Sequence, residues 1–82
     1  PIQRNAIIAL GNFKDQTAVD PLIEVMENDP RPVMRGTAAW ALSKIGGEKA
    51  KRALVRAAKT EENAEVLEEL QKALVRLEEG KA

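Results

Sequence analysis

Apolar positions along this chain recur at a spacing of 32 residues. Ala6, Ala9, Leu10 and Phe13 answer to Ala38, Ala41, Leu42 and Ile45, and Ala18 and Leu22 answer to Ala50 and Leu54. A further partial copy sets Val66, Leu70, Ala73 and Leu74 against Met34, Ala38, Ala41 and Leu42. Within each copy the apolar residues stand three and four apart, the spacing of one helix face. Helical patterns that repeat every 20 to 50 residues or so mark a stacked-helix solenoid, in which each unit buries its apolar face only against its neighbours. So short a module has little room for an enclosed active site, and it works by presenting a surface.

The pattern predicts five helices, over about residues 2–13, 17–28, 33–45, 48–59 and 64–78. In the first, Ile2, Ala6, Ala9, Leu10 and Phe13 form the apolar face. Thr17 reads as the N-cap of the second, with Asp20 completing a shortened capping box. Pro21 falls in or just past the first turn, where a missing N–H costs least. Val19, Leu22, Ile23 and Met26 then face inward. The run Asn28-Asp29-Pro30-Arg31-Pro32 stops that helix, because residues before proline avoid helical backbone. The third helix buries Met34, Ala38, Ala41, Leu42 and Ile45 and ends at Gly46-Gly47. Ala50, Ala53, Leu54 and Ala57 turn inward from the fourth, and Val66, Leu67, Leu70, Ala73, Leu74 and Leu77 from the fifth. Residues 80–82 should fray. The result is an all-α superhelix of about two and a half repeats.

Composition narrows the chemistry. There is no Cys, hence no thiolate nucleophile, zinc-thiolate site or iron–sulfur ligand, and no His, the commonest general base and metal ligand. The lack of disulfides fits the cytoplasm. Asp15 with Asp20, or Glu24 with Glu27, are carboxylate pairs on exposed faces or turns without a partner base. The glycines act as caps, and none forms a phosphate loop. No apolar run approaches the ~20 residues that span a membrane. The 13 basic and 13 acidic residues cancel, so no net field points to a polyanion. The chain opens at Pro1 and runs straight into a helical pattern, which reads as a piece of a longer protein.

Particular residues sharpen the class. Pro21, Asp29 and Arg35, with the corner Asp29-Pro30-Arg31-Pro32-Val33-Met34-Arg35 and then Ala38-Ala39-Trp40-Ala41-Leu42, resemble the HEAT-repeat pattern over about residues 2–78. That resemblance implies a HEAT-like, armadillo-type α-α superhelix, with Pro21, Asp29 and Arg35 in structural roles. A narrower one rests on Arg4-Asn5-Ala6, Ala9-Leu10-Gly11-Asn12 and Arg35-Gly36-Thr37-Ala38-Ala39-Trp40-Ala41-Leu42. These are similar to the C-terminal HEAT-like region of epoxyqueuosine reductases, with Ser43 where glycine is expected. The resemblance implies an enzyme of queuosine synthesis that uses cobalamin and two four-iron clusters, all held by domains N-terminal to the repeats. It implies further that the repeats help hold the tRNA anticodon arm.

In such a stack the first, third and fifth helices line the concave face. Their unburied positions form three rows: Arg4, Asn5, Ile8 and Asn12; Gly36, Thr37, Trp40 and Lys44; Glu68, Glu69, Lys72 and Arg76. Arg, Lys, Asn and backbone N–H groups at helix starts are the usual phosphate ligands, which points to the first two rows rather than the acidic third. The candidate nucleic-acid contacts are Arg4, Asn5, Asn12, Arg31, Gly36, Thr37, Trp40 and Lys44. Each has a plainer explanation. Trp40 either stacks on a base or fills the groove near Ile8. Gly36 either admits a backbone or allows close helix packing. Asn5 and Asn12 either reach a ligand or bridge neighbouring turns, and Arg4, Arg31 and Lys44 can be a solvated face. Arg35 with Asp29 is a structural pair. The basic fourth helix and the acidic start of the fifth are neighbouring segments that neutralise each other, and Glu68 can pair with Lys72.

Three functions are open from the sequence. The chain docks the tRNA anticodon arm for a catalytic domain, or it is a protein-interaction scaffold, or it serves only to stabilise the longer protein. In the last case the first helix carries an exposed apolar edge, which could also drive self-association.

Overall fold

The computed structural model describes residues 2–80; Lys81 and Ala82, expected to fray, lie outside them. Five α-helices run Arg4–Asn12 (α1), Val19–Asn28 (α2), Pro32–Ile45 (α3), Glu48–Thr60 (α4) and Ala64–Glu79 (α5), with a 3-10 turn at Gln16–Ala18 before α2. Their limits follow local chemistry. The Asp15 carboxylate accepts from the Thr17 N–H at 3.0 Å and from its hydroxyl at 2.6 Å. Asp15, and not Thr17, therefore caps this start, and Thr17 is spent as a donor. Pro21 lies in the first turn of α2, where no intrahelical N–H is lost. Pro32 opens α3 at its first position, with a φ already suited to a helix. Gly46 and Gly47, at φ 76° and 96°, make the corner into α4 with backbone that other residues adopt only under strain. Asn63 caps α5 by accepting from the Val66 N–H at 3.0 Å.

Two layers result. α1, α3 and α5 stack side by side, and α2 and α4 cover them, with α3 touching all four other helices. A central helix needs small side chains. Ala38, Ala39 and Ala41 are fully buried and let its neighbours close in. Ile7, Leu22, Leu42, Leu54, Leu70 and Val66 fill the spaces between layers. Each such side chain, once fully buried, contributes about 1.5–3 kcal/mol.

The first helix departs from its expected face. Ile7 and Gly11 are its buried residues, with Ile2 and Leu10 packed at the margin, whereas Ala6 is exposed and Phe13 is 82% exposed. The repeat-equivalent Ala38 and Ile45 are buried. The reason is position. α3 has an inner helix on either side, and α1 has one on a single side.

The charged helices also pair differently from the sequence expectation. Lys49 and Arg56 of α4 reach back to Asp20 and Glu27 of α2, and Lys51 reaches Glu78 near the end of α5. Three of the five cations of α4 thus pair with the outer helix before it and with the far end of α5. The expected Glu68–Lys72 pair is present at 3.4 Å.

Candidate nucleic-acid interface

The inner helices enclose an open groove of about 710 Å³. Its floor is apolar, made by Ile8, Val33, Pro32 and Val66. Arg4, Gly36, Thr37 and Trp40 line it from α1 and α3, and Glu65, Glu68 and Glu69 line it from α5.

The width at one end is set by a close helix contact. Gly11 lies so near α3 that a Cβ on it would stand 2.8 Å from the Trp40 ring and 3.0 Å from Ala41 Cα. Trp40 is consequently half-buried, with one part of its ring against α1. The Lys44 ammonium sits 6.0 Å from the ring centroid, at the limit of a cation–π contact. Trp40 therefore does both things considered for it: it packs between helices and still contributes to the groove wall.

Arg4 is tied in place. Its Nε donates to Thr37 Oγ1 at 3.1 Å, and that hydroxyl donates to the Val33 carbonyl at 2.7 Å. The terminal nitrogens of Arg4 have no acceptor among the described residues. A guanidinium fixed by one edge and open at the other is suited to a phosphate or carboxylate. Thr37 itself is 8% exposed, so it positions Arg4 and offers little surface of its own. Gly36 is buried against Glu69, whose side-chain carbons would meet an added Cβ at 3.4 and 3.7 Å. Glu68 and Glu69 share Lys72, at 3.4 and 3.8 Å.

Five of the eight candidate contacts thus meet: Arg4, Gly36, Thr37 and Trp40 in the groove, with Lys44 over Trp40. Asn5 and Asn12 are exposed on α1 and do not line it. Arg31 is elsewhere, at the corner between α2 and α3, bound to the Asp29 carboxylate at 3.0 and 2.9 Å. The Arg31 N–H also donates to Asp29, at 2.9 Å. These bonds from Arg31 hold the Asp29 carboxyl below its ordinary value.

The expected Arg35–Asp29 pair needs correction. Arg35 Nη1 donates at 2.9 Å to the backbone carbonyl of Asp29, not to its carboxylate. The carboxylate partner of Arg35 is Glu61, held bidentately at 2.9 and 3.0 Å. Asp29 is taken by Arg31 because a side chain two residues before an N–H closes a local ring at little entropic cost. Arg35 is left to bridge the corner before α3 to the corner before α5. Its bonds to Glu61 hold that carboxyl below its ordinary value, against a smaller opposing effect of burial. The sequence reading counted Glu61 only among the acidic residues at the start of the fifth helix and did not pair it with Arg35. Its signal lay in the repeat, since it stands 32 residues beyond Asp29.

A family model described as HEAT repeats matches residues 1–75. The chain belongs to the HEAT-repeat family. This HEAT-repeat chain is 61% identical over 70 residues to an epoxyqueuosine reductase of Listeria monocytogenes, covering 85% of the chain and 18% of the relative. It is 52% identical over 81 residues to that of Bacillus cereus, covering 99% of the chain and 21% of the relative. Among solved structures it is similar to an epoxyqueuosine reductase with a tRNA-Tyr epoxyqueuosine-modified tRNA stem loop. The TM-score is 0.88 and the identity 47%, over 93% of the chain and 20% of that protein. The chain therefore spans about a fifth of the length of these relatives.

The cobalamin and four-iron clusters implied by the resemblance do not fit this part of such a protein. The chain has no Cys to ligate a cluster and no His to ligate cobalt. Among the described residues no group of His, Cys, Asp and Glu could hold a metal ion, and no helix is long and apolar enough to cross a membrane.

Proposed function

We propose that this chain is the non-catalytic tRNA-docking module of an epoxyqueuosine reductase, holding the anticodon arm near a catalytic domain N-terminal to it in the same polypeptide. The observation that carries this reading is the groove edge on α1 and α3. There a fixed guanidinium (Arg4), an aromatic wall (Trp40) and an ammonium (Lys44) stand together. A related protein has been solved with a tRNA stem loop, which supplies the class of ligand. In this reading the phosphates follow Arg4 and Lys44, a sugar or base edge rests on the exposed part of Trp40, and Gly36 keeps the floor open. The carboxylates of Glu65, Glu68 and Glu69 repel the backbone and confine it to the α1–α3 side. Asn5 and Asn12 flank this track on α1. Arg31 is a peripheral contact from the corner, where its pairing with Asp29 leaves its side chain 52% exposed. The reductive chemistry, with its cofactors, belongs to the catalytic domain.

The test is binding of an anticodon stem loop to the full-length enzyme carrying Arg4→Ala and Trp40→Ala. We expect affinity to fall by about tenfold or more, as loss of one phosphate contact and one stacking surface implies. Unchanged affinity would overturn the site. The balanced charge and apolar floor favour a second reading, a protein-interaction scaffold. Salt separates the two, because phosphate binding weakens steeply with ionic strength and an apolar contact does not.

A further inference from the structure

Two arginines reach the central helix from opposite sides, and a buried hydroxyl receives each. Arg4 of α1 donates to Thr37, whose hydroxyl donates to the Val33 carbonyl. Arg76 of α5 donates through Nη1 to Ser43 Oγ at 2.7 Å, and that hydroxyl donates to the Trp40 carbonyl at 2.6 Å. Ser43 is 5% exposed. A serine hydroxyl has one proton, and here a helix carbonyl takes it, so toward Arg76 the oxygen can only accept. The bond therefore holds one edge of the guanidinium. Arg76 Nε and Nη2 have no acceptor among the described residues, and Arg76 forms no ion pair with any of them. One repeat earlier the arrangement is looser. Gly11 stands at the position of Ser43 and Lys44 at that of Arg76, and with no hydroxyl to hold it Lys44 sits only over the Trp40 ring.

We infer that Arg76, held by Ser43, is a further phosphate-binding residue, through which the RNA track crosses from α3 to the far end of α5. The inference rests on the tRNA-docking reading above. The third inner helix is acidic on this face only where it begins. Glu65, Glu68 and Glu69 lie in its first two turns, and Arg76 lies in its last. Arg76 stands eight residues beyond Glu68, or about 12 Å along the helix. That exceeds the Debye length of about 8 Å at physiological salt. The carboxylates therefore bar phosphates from the start of α5 without barring them from its end, and Lys72 offsets Glu68 and Glu69 in between. A shallow hollow of about 310 Å³ follows α5 past Lys72 to Arg76 and shares Glu68 with the main groove.

The plainer role for Arg76 is structural: it ties α3 to α5 and offsets the negative end of the α5 dipole. Either role is filled without RNA, and neither changes how RNA binding responds to salt. Glu79 lines the same hollow but forms no ion pair among the described residues, so the hydroxyl and not a carboxylate holds Arg76. A guanidinium fixed on one edge loses little freedom on meeting a phosphate, and its planar fork fits two phosphate oxygens.

The test measures binding of an anticodon stem loop to the full-length enzyme over a salt series. Arg76→Gln removes the charge and keeps a donor. We expect affinity to fall about fivefold or more at about 0.15 M salt, and the slope of log K on log salt to become shallower by about 0.7–0.9, the value for one phosphate. Ser43→Ala leaves the charge but frees the side chain, which must then be ordered on binding. Affinity should fall about two- to tenfold with the slope unchanged. Alanine is a good helix former and leaves no group of α3 without its partner, so Ser43→Ala decides the matter if Arg76→Gln does not fold. An Arg76→Gln enzyme that binds as the unsubstituted enzyme does, or more weakly with the same salt slope, would overturn the inference. So would a Ser43→Ala enzyme of unchanged affinity. The Arg4→Ala, Trp40→Ala enzyme, measured alongside, separates the two readings. If it alone binds weakly, only this inference fails; if no variant loses affinity, the docking reading fails with it.

Discussion

Replacing Gly11 by alanine should destabilise this protein even though alanine is the better helix former. The added Cβ would lie 2.8 Å from Trp40 Cζ3, 3.0 Å from Ala41 Cα and 3.1 Å from Ala41 Cβ. Two of these atoms belong to a helix held on every side, and the third to a rigid ring wedged at the same contact. Relief therefore requires α1 to draw back from α3 by several tenths of an ångström, which also stretches the Arg4–Thr37 bond. Overpacking of this kind costs about 1–3 kcal/mol. The gain from replacing a helical glycine is at most about 1 kcal/mol. A mid-range cost of about 2 kcal/mol less a gain of about 1 kcal/mol leaves a net loss of about 1 kcal/mol, or roughly 4–8 °C in Tm for a domain of this size. Gly36→Ala is the control with the opposite sign. Its Cβ meets only the flexible Glu69 side chain, at 3.4 and 3.7 Å, so the propensity gain of about 0.5–1 kcal/mol should survive. Urea unfolding of both variants, followed by circular dichroism and Trp40 fluorescence, measures the pair. If Gly11→Ala proved as stable as the parent, the close contact would not control the α1–α3 spacing and the account of the groove would fail.

Other consequences can be checked on the same chain. Arg35→Ala, Glu61→Gln and the double variant form a cycle whose coupling should be about 1.5–3 kcal/mol, the range for charge-assisted hydrogen bonds; strictly additive effects would mean that the two corners are not bridged. Glu61 titrates below its ordinary value in the folded state, so between its folded and unfolded values the unfolded chain binds more protons. Its stabilising contribution is then complete above about pH 4.5 and is lost as pH falls through the folded value. Glu61→Gln should flatten this acid limb in a pH series of urea melts. Asn63→Ala should cost about 1 kcal/mol by removing the cap of α5, whereas Asn63→Asp should retain most of it.

Much of the fold was legible because helix periodicity and repeat spacing are local properties of the chain. Met34, Ala38, Ala41, Leu42 and Ile45 could be assigned to the core of α3 from spacing alone, and all are buried. The same logic failed for α1. Ala6 and Phe13 have the apolar character of their repeat partners but no neighbour to bury them. Spacing identifies the face of a helix that is able to pack, and the neighbour decides whether it does. The corner chemistry was half legible. Asp29 and Arg35 were recognisable as structural, but one carboxylate and two arginines lie close together in the sequence, and nothing local says which arginine wins.

The sequence by itself determined the helix count, the 32-residue repeat, the absence of thiol and imidazole chemistry, and the amphipathic inner helices. Each depends only on residue type and on separations within one or two turns or one repeat. The tertiary structure decided the rest. It brought Arg4, Gly36, Thr37 and Trp40 to one groove and set Asn5 and Asn12 apart from it. It gave Arg35 to Glu61 and Arg31 to Asp29. It also left one end of the stack apolar and the other polar. These outcomes turn on ångström-scale distances between helices, set by where small residues such as Gly11 and Ala41 allow close approach, and no local pattern in the chain encodes them.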